Sequence, residues 1–288
     1  MLKSMKVFGA ALLLIAPTAG YAADLYEPPI IEAPEPLPPV IQPDPAPSFG
    51  GWYIRGDIDY HWSKLRGTEY ITYGVDPSTG LRGSTASFDT TDLKGAMSLG
   101  AGIGYQINRY LRTDLTADYW FKSDFTGSTS GTCLDGNACV SSDTSAYSAW
   151  LLMANAYVDL GTYYGFTPYV GAGIGGAYIM WDDLTNTTRD GTTVHEGSSN
   201  WRFAYSLMAG TSYCLTENLN LDMGYRFTRV AGGRMFEYAS GVAPGFDDGF
   251  NVHEARAGLR YQFGGNSNCA RPQVVSYDPP PFEPPVYK

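Results

Sequence analysis

The chain has 288 residues, a formal net charge of −10 and 14% aromatic residues, with 22 tyrosines against 13 phenylalanines. The negative charge excludes a nucleic-acid-binding protein, because such proteins bind phosphates through an excess of Lys and Arg. After the N-terminal segment no stretch reaches about 18 consecutive apolar residues, so the sequence predicts no transmembrane helix.

Residues 1–22 are predicted to be a secretory signal peptide. Lys3 and Lys6 precede an apolar run of ten residues, and small residues stand before a cleavage site that would expose Ala23-Asp24. The apolar run is too short to span a bilayer as a helix. An exported protein without a membrane-spanning helix is soluble, secreted or a β-barrel.

Two proline-rich tails, 23–49 and 265–288, are predicted to flank one folded body at 50–264. Residues 24–48 contain nine prolines, five acidic residues and no basic residue, and residues 271–288 contain six prolines. Such a composition cannot form a core and favours an extended polyproline II conformation.

The folded body contains eight runs in which apolar and polar residues alternate. In the third run Leu111, Leu115 and Tyr119 share one parity, while Arg112 and Asp118 share the other. A period of two predicts a β-strand with one apolar and one polar face. The predicted strands are 51–64, 94–107, 111–122, 147–159, 167–181, 201–214, 219–229 and 252–263.

The connections between these runs alternate in length. The connections after the second, fourth and sixth runs are short, at 108–110, 160–166 and 215–218, whereas the other four are long, at 65–93, 123–146, 182–200 and 230–251. Short periplasmic turns and long external loops are typical of outer-membrane barrels, and a β-sandwich gives no reason for this regularity. The predicted fold class is therefore all-β: an eight-stranded antiparallel transmembrane β-barrel with proline-rich periplasmic tails at both ends. Outer-membrane lipid and lipopolysaccharide would surround it.

The polar faces of the predicted strands carry seven basic and seven acidic residues, which would lie inside the barrel. Unpaired charges in a narrow interior are costly, so an ion-pair network across the lumen is expected. Eight strands enclose a space that side chains can fill, so an open pore is not expected. The network residues are Arg55, Arg112, Lys122, Arg202, Arg226, Arg256 and Arg260 with Asp57, Asp59, Asp114, Asp118, Asp159, Asp222 and Glu254.

Aromatic residues near the strand ends are predicted to form girdles at the two membrane interfaces, where tyrosine and tryptophan are enriched. This set comprises Trp52, Tyr60, Trp62, Tyr119, Trp120, Trp181, Trp201, Tyr225 and Tyr261.

The four cysteines suggest two disulfides. Cys133 and Cys139 lie six positions apart in a polar stretch, and Cys214 and Cys269 each lie just beyond a predicted strand. An even count and an oxidising compartment favour bridges, with free buried thiols as the alternative.

The sequence predicts no metal site. The chain has no Cys-x-x-Cys motif and its three histidines are scattered. The pairs Asp182-Asp183 and Asp247-Asp248 would suit calcium, but acidic pairs in exposed loops are usually only solvated.

The sequence predicts no cofactor and no enzymatic activity. Residues 171–176 (GAGIGG) match a dinucleotide-binding pattern, but no helix follows them and their glycines continue one face of a strand. His61 with Ser63, or His195 with Glu196, would suit hydrolysis, yet such residues at a rim or in a loop are more often solvated.

The chain resembles the small outer-membrane barrels of alpha-proteobacteria, the porin-like surface proteins of brucellae and rhizobia. The matching segments are FGGWY at 49–53, YVGAGIGG at 169–176 and GLRYQF at 258–263. The resemblance implies an abundant surface barrel that acts in envelope integrity and host contact and has no active site. The chain departs from the pattern because 25 residues follow Phe263, whereas barrels of this class usually end on an aromatic residue.

The resemblance also implies a covalent partner, peptidoglycan. In some barrels of this group a mature Ala-Asp terminus is joined through its amine to the cell-wall peptide, and Ala23-Asp24 has this form. The leading hypothesis is thus a structural barrel that tethers the outer membrane. The alternatives are a small or oligomeric porin for passive transport, and an adhesin that binds host ligands through its long loops.

Overall fold

The computed structural model describes residues 50–71, 85–237 and 244–264 together with Cys269. Within these residues the regular structure consists of β-strands, and no helix among them is long and apolar enough to cross a membrane. The predicted signal peptide, the N-terminal tail and the C-terminal tail other than Cys269 lie outside the described residues, as do Ala23 and Asp24.

Eight long strands form a closed antiparallel barrel, which confirms the predicted fold class. Each strand pairs with its neighbours in sequence, and the last pairs with the first, with Asp57 opposite Gly258. The strands are β1 (Gly51–Leu65), β2 (Ala96–Gln106), β3 (Leu111–Ser128), β4 (Ser142–Asp159), β5 (Phe166–Trp181), β6 (Ser199–Cys214), β7 (Leu219–Val230) and β8 (Phe250–Gln262).

The barrel has a short-turn end and a long-loop end. The short-turn end carries the three tight connections β2–β3, β4–β5 and β6–β7, together with the start of β1 and the end of β8. Side chains close these turns locally: Asn108 Oδ1 accepts hydrogen bonds from the backbone N–H groups of Tyr110 and Leu111, and Thr216 Oγ1 accepts from that of Leu219.

Along most of the length of the strands, inward side chains are buried and outward side chains are exposed or half-exposed. On β3, Arg112 and Asp118 are fully buried whereas Leu115 is 62% exposed. Much of the outward surface is apolar, which is the surface that a barrel presents to lipid. Glycines on the inward face make room for large neighbours, since a Cβ at Gly104 would lie 2.2 Å from the ring of Tyr53.

A β-bulge in β3 overturns the prediction for Lys122. The register of β3 against β4 shifts between Trp120 and Ser123, so Phe121 and Lys122 both point outward. The side chain of Lys122 is 65% exposed and pairs with Asp182 at 2.7 Å. Lys122 is therefore not part of the lumen network.

Two of the predicted girdle residues are also placed differently. Trp120 and Trp181 are buried inside the barrel, with exposed fractions of 0% and 4%. Trp52, Trp62 and Trp201 lie on the outside as predicted, each more than 40% exposed. The sequence pattern at strand ends does not separate an interface aromatic from one that fills the lumen.

The long-loop end is covered by short strands from the loops. The first and fourth long loops together form a four-stranded sheet from Thr68–Ile71, Thr85–Ser87, Gly233–Phe236 and Gly245–Asp247. The first loop also contributes Thr90–Leu93 against β3. The third loop forms a hairpin of Leu184–Thr188 and Gly191–His195 against β4, and the second forms a small hairpin of Ser130–Thr132 and Ala138–Val140.

Both predicted disulfides are present. Cys133 pairs with Cys139 at the end of the small loop hairpin, and Cys214 at the end of β6 pairs with Cys269 beyond β8. The second bridge links Cys269 to the end of β6, next to the β6–β7 turn.

Candidate functional site

The interior of the barrel is the candidate site, and its centre is a buried charge network around Arg226. The guanidinium group of Arg226 on β7 contacts Asp118 on β3 at 2.8 Å and Glu254 on β8 at 2.5 Å. Asp59 on β1 lies 3.8 Å away, and all four side chains are fully buried. One arginine therefore connects three parts of the wall.

Two further arginines extend this central network. Arg256 contacts Asp57, Asp59 and Asp118 at 3.1 to 3.3 Å. Arg55 contacts Asp57 at 2.6 Å and Asp114 at 3.1 Å.

A second, smaller network lies towards the short-turn end. Arg112 pairs with Asp159 at 3.0 Å and lies 3.8 Å from Asp222, which Arg260 contacts at 3.0 Å. The guanidinium carbon of Arg112 lies 4.2 Å and 4.6 Å from the ring centres of Tyr157 and Tyr169, within the range of cation–π interactions.

Carboxylates outnumber guanidinium groups in the lumen. The central network contains three arginines and five acidic residues, and the second contains two of each, so the formal charge of the two together is −2. Neutral donors supply the difference: Tyr53 and Asn155 donate to Asp114, and the Trp120 indole donates to Glu254 at 3.0 Å. Sequence reasoning missed these donors, because a polar or aromatic side chain gives no pairing signal at one position.

Arg202 lies outside this network. Its Nη1 donates to both carboxylate oxygens of Asp247 at 2.7 Å, and both side chains are buried. Arg202 sits near the long-loop end of β6, where the loop strand Gly245–Asp247 folds over it, so its partner comes from a loop and not from the wall. The two acidic pairs considered for calcium thus each contribute a partner to a cation, Asp182 to Lys122 and Asp247 to Arg202.

The part of the lumen nearest the long-loop end is filled by apolar and aromatic side chains. The ring of Tyr147 on β4 stacks on that of Phe250 on β8, with centres 5.2 Å apart, and Trp181 packs against both. His61 and Ser63, considered above for hydrolysis, are buried here, and the Ser63 hydroxyl bonds to that of Tyr147 at 2.5 Å and not to His61.

Side chains from opposite walls meet at three levels of the barrel. Strands four places apart in the ring face each other, and β3 contacts β7 through Asp118–Arg226 and, nearer the short-turn end, through Arg112–Asp222. Nearer the long-loop end, β4 contacts β8 through Tyr147–Phe250. The described part of the lumen is therefore bridged from wall to wall by charged pairs and by an aromatic layer.

Comparison with known proteins identifies the family. The family model of the outer membrane protein beta-barrel domain matches residues 40–263. The chain belongs to this outer-membrane β-barrel family. The barrel accordingly lies in the lipid of the outer membrane, which confirms the predicted localisation.

Two relatives and one solved structure are similar to the chain. The chain is 38% identical over 281 residues to an uncharacterized protein of Brucella abortus, covering 87% of this chain and 95% of that protein. It is 25% identical over 216 residues to a putative adhesin of Rickettsia bellii, covering 73% of this chain and 87% of that protein. The crystal structure of Neisserial surface protein A aligns over 75% of this chain and 100% of its own, with 16% identity and a TM-score of 0.42.

Proposed function

We propose that the protein is a non-conducting structural barrel of the outer membrane. Its long-loop end would face the cell surface, and its short-turn end and both tails would lie in the periplasm. The observation that carries the proposal is the wall-to-wall contact at three levels of the lumen. Charged pairs that are buried and mutually bonded hold a closed interior, because opening it would separate several pairs at once.

Single-channel recording tests this proposal against the porin alternative. The full mature protein, reconstituted in planar bilayers, is expected to give no stepwise conductance. A variant carrying Tyr147→Ala, Phe250→Ala, Arg226→Ala and Asp118→Ala would remove the bridges at two levels and is expected to conduct. Reproducible open channels in the unaltered protein would reject the structural proposal and support passive transport.

Tethering to peptidoglycan is the second part of the proposal. The described barrel begins and ends at its short-turn end, so both tails would leave it on the same side. Residues 23–49, if extended at roughly 3.1 Å per residue, would reach on the order of 80 Å from the membrane towards the cell wall. Ala23 would supply the attachment amine.

Mass spectrometry of cell-wall digests tests the tether. Peptidoglycan boiled in detergent and digested with muramidase is expected to release a muropeptide linked through the amine of Ala23. A strain carrying a chain that lacks residues 25–48 but keeps Ala23-Asp24 tests whether tail length matters. Absence of any Ala23-linked muropeptide from the unaltered strain would reject the tethering proposal. The proposal of a non-conducting barrel does not depend on this result.

Adhesion through the loops is the other candidate that an observation supports. The small disulfide-closed hairpin exposes apolar side chains: Leu134 in its turn is 92% exposed, and Val140 opposite Ser130 at its base is 64% exposed. A relative named a putative adhesin aligns over most of the barrel. Cells displaying Leu134→Asp and Val140→Asp are expected to bind host cells less well than cells with the neutral change Thr132→Ser. Equal binding by both would argue against this hairpin as the adhesive surface.

A further inference from the structure

The outer surface of β1 changes character in steps towards the long-loop end. Its outward residues run from apolar Ile58 through Tyr60 and Trp62 to Lys64 and Arg66. All five are exposed. This order follows the profile of a membrane leaflet, from acyl chains through the interface to the head groups.

The adjacent strands β8 and β7 continue both steps around the wall. The register places Lys64, Asn251 and Arg229 side by side on β1, β8 and β7. One step closer to the short-turn end, it places Trp62, His253 and Phe227 in a second row. A polar row with cations at both ends thus lies directly above an aromatic row.

The aromatic row is a connected layer, which we call the aromatic shelf: Trp62, Tyr225, Phe227 and His253. Trp62 stacks on His253 with ring centres 6.0 Å apart and planes 13° apart, and the ring of Phe227 lies 5.4 Å from that of His253. The Tyr225 hydroxyl and His253 Nδ1 are hydrogen-bonded at 2.5 Å. These contacts hold the rings together on the face of the barrel that meets the membrane.

The cations above the shelf, which we call the cationic patch, are Lys64, Arg66 and Arg229. The guanidinium of Arg229 donates to the Asn251 side chain at 3.2 Å and to the Asp248 carbonyl at 2.8 Å. Within the described part of the chain none of the three forms an ion pair with a carboxylate. Two acidic groups are near: the Asp248 carboxylate beside Gly67, and Asp247, which is already paired with Arg202.

Two outward lysines elsewhere on the wall, one just before β2 and one on β3, differ in this respect. Lys94 pairs with Asp124 at 3.3 Å, and Lys122 pairs with Asp182 at 2.7 Å. Both of these lysines also lie on the outside near the long-loop end. The charges there are balanced within the protein, whereas the cationic patch has three cations and one nearby acid, Asp248, that is not already paired with another cation.

We propose that the cationic patch and the aromatic shelf bind the phosphorylated glucosamine head group of lipid A, the outer-leaflet anchor of lipopolysaccharide. Arginine binds phosphate through a planar fork and lysine binds it as a point charge, so the patch can hold more than one phosphate. The acyl chains would lie against the shelf and the apolar wall below it. The proposal rests on the orientation given above, because that places the patch in the lipid A leaflet.

Binding of defined lipids to the full mature protein in detergent micelles tests the site. The probes are bisphosphorylated lipid A, the same lipid A without phosphates, phosphatidylglycerol and inorganic phosphate, with complexes measured by native mass spectrometry. The test variant carries Lys64→Gln, Arg66→Gln and Arg229→Gln, and the matched control carries Lys94→Gln and Lys122→Gln. We expect the test variant to bind bisphosphorylated lipid A on the order of 100-fold more weakly, since each cation near an anionic head group contributes roughly a factor of five. The control is expected to change less than about twofold, because its cations are already paired.

Each other outcome counts against the proposal. An equal loss of lipid A binding in the test and control variants would show that the patch does not recognise phosphate. An equal loss of binding for lipid A without phosphates would show the same. Phosphatidylglycerol or inorganic phosphate binding as tightly as lipid A would reject the glycolipid as the ligand. If the triple variant does not fold, the single change Arg229→Gln with its counterpart Lys122→Gln gives the same comparison at about fivefold. Micelle binding does not depend on orientation, which labelling of a tag at Gly131 on whole cells reports separately.

Discussion

Replacing Arg226 by methionine should strongly destabilise the barrel, because it removes the cation that three buried carboxylates share. Glu254 would keep the Trp120 and Thr228 donors, and Asp118 would keep Arg256, but neither would retain its closest cation. Removing one partner of a buried ion pair costs about 3–5 kcal/mol. Because Asp118 and Glu254 keep these other partners, the cost of Arg226→Met in free energy of unfolding should lie within this range and not above it. Urea unfolding in lipid vesicles, followed by tryptophan fluorescence, measures the change.

The matched control is Lys122→Met. The sequence placed Lys122 in the same lumen network as Arg226, but the structure does not. Because Lys122 is on the outside and exposed, this change should leave the unfolding midpoint unaltered. Adding Asp118→Asn and Glu254→Gln to Arg226→Met should recover part of the loss, since fewer unpaired charges remain buried. If Arg226→Met shifted the urea unfolding midpoint no more than Lys122→Met, the lumen network would not stabilise the barrel.

Three further predictions concern the wall, the disulfide and a loop. Gly104→Ala should cost about 1–3 kcal/mol in the same unfolding assay by forcing a Cβ into a neighbouring ring, whereas Gly131→Ala, with open space around it, should cost nothing measurable. Cys214→Ser should lower the free energy of unfolding by about 2–4 kcal/mol, because the bridge to Cys269 closes a long loop with a sequence separation of 55. Burial lowers the pKa of His195, so the neutral form of its side chain is favoured in the folded loop. The hairpin that contains His195 should therefore open more readily as pH falls below about 6.5, and hydrogen exchange there should become faster. His195→Phe should remove this pH dependence.

The fold follows from the sequence because a barrel repeats one simple rule. The period of two in a segment such as Leu111–Trp120 matches the structure, since each strand turns its polar face towards the lumen and its apolar face outward. The alternating connection lengths indicated that consecutive strands are neighbours in the barrel, with short turns at one end and long loops at the other. Both signals are spread over many residues, so a local exception does not obscure them.

The lumen could be predicted only in part, because it depends on partners far apart in the chain. Parity correctly placed Arg226 and Glu254 on the inward face, but it could not show that one arginine serves three carboxylates. Parity failed at Lys122, because a bulge inserts an extra residue without changing the local composition. It also gave no indication that Asp247 in a loop would meet Arg202.

The division of the lumen into charged and aromatic layers bears on what the barrel can do. Arg226 and Arg256 each bind several carboxylates, so their fixed positions leave no free cation in the network to hold an anionic solute. The aromatic layer around Tyr147 and Phe250 then separates this network from the long-loop end. Because the charged side chains of the lumen pair with one another, a solute would have to displace these pairs in order to bind inside the barrel. The loops and the outer wall, where cations such as Arg229 lack a carboxylate partner among the described residues, are therefore where binding partners should be sought.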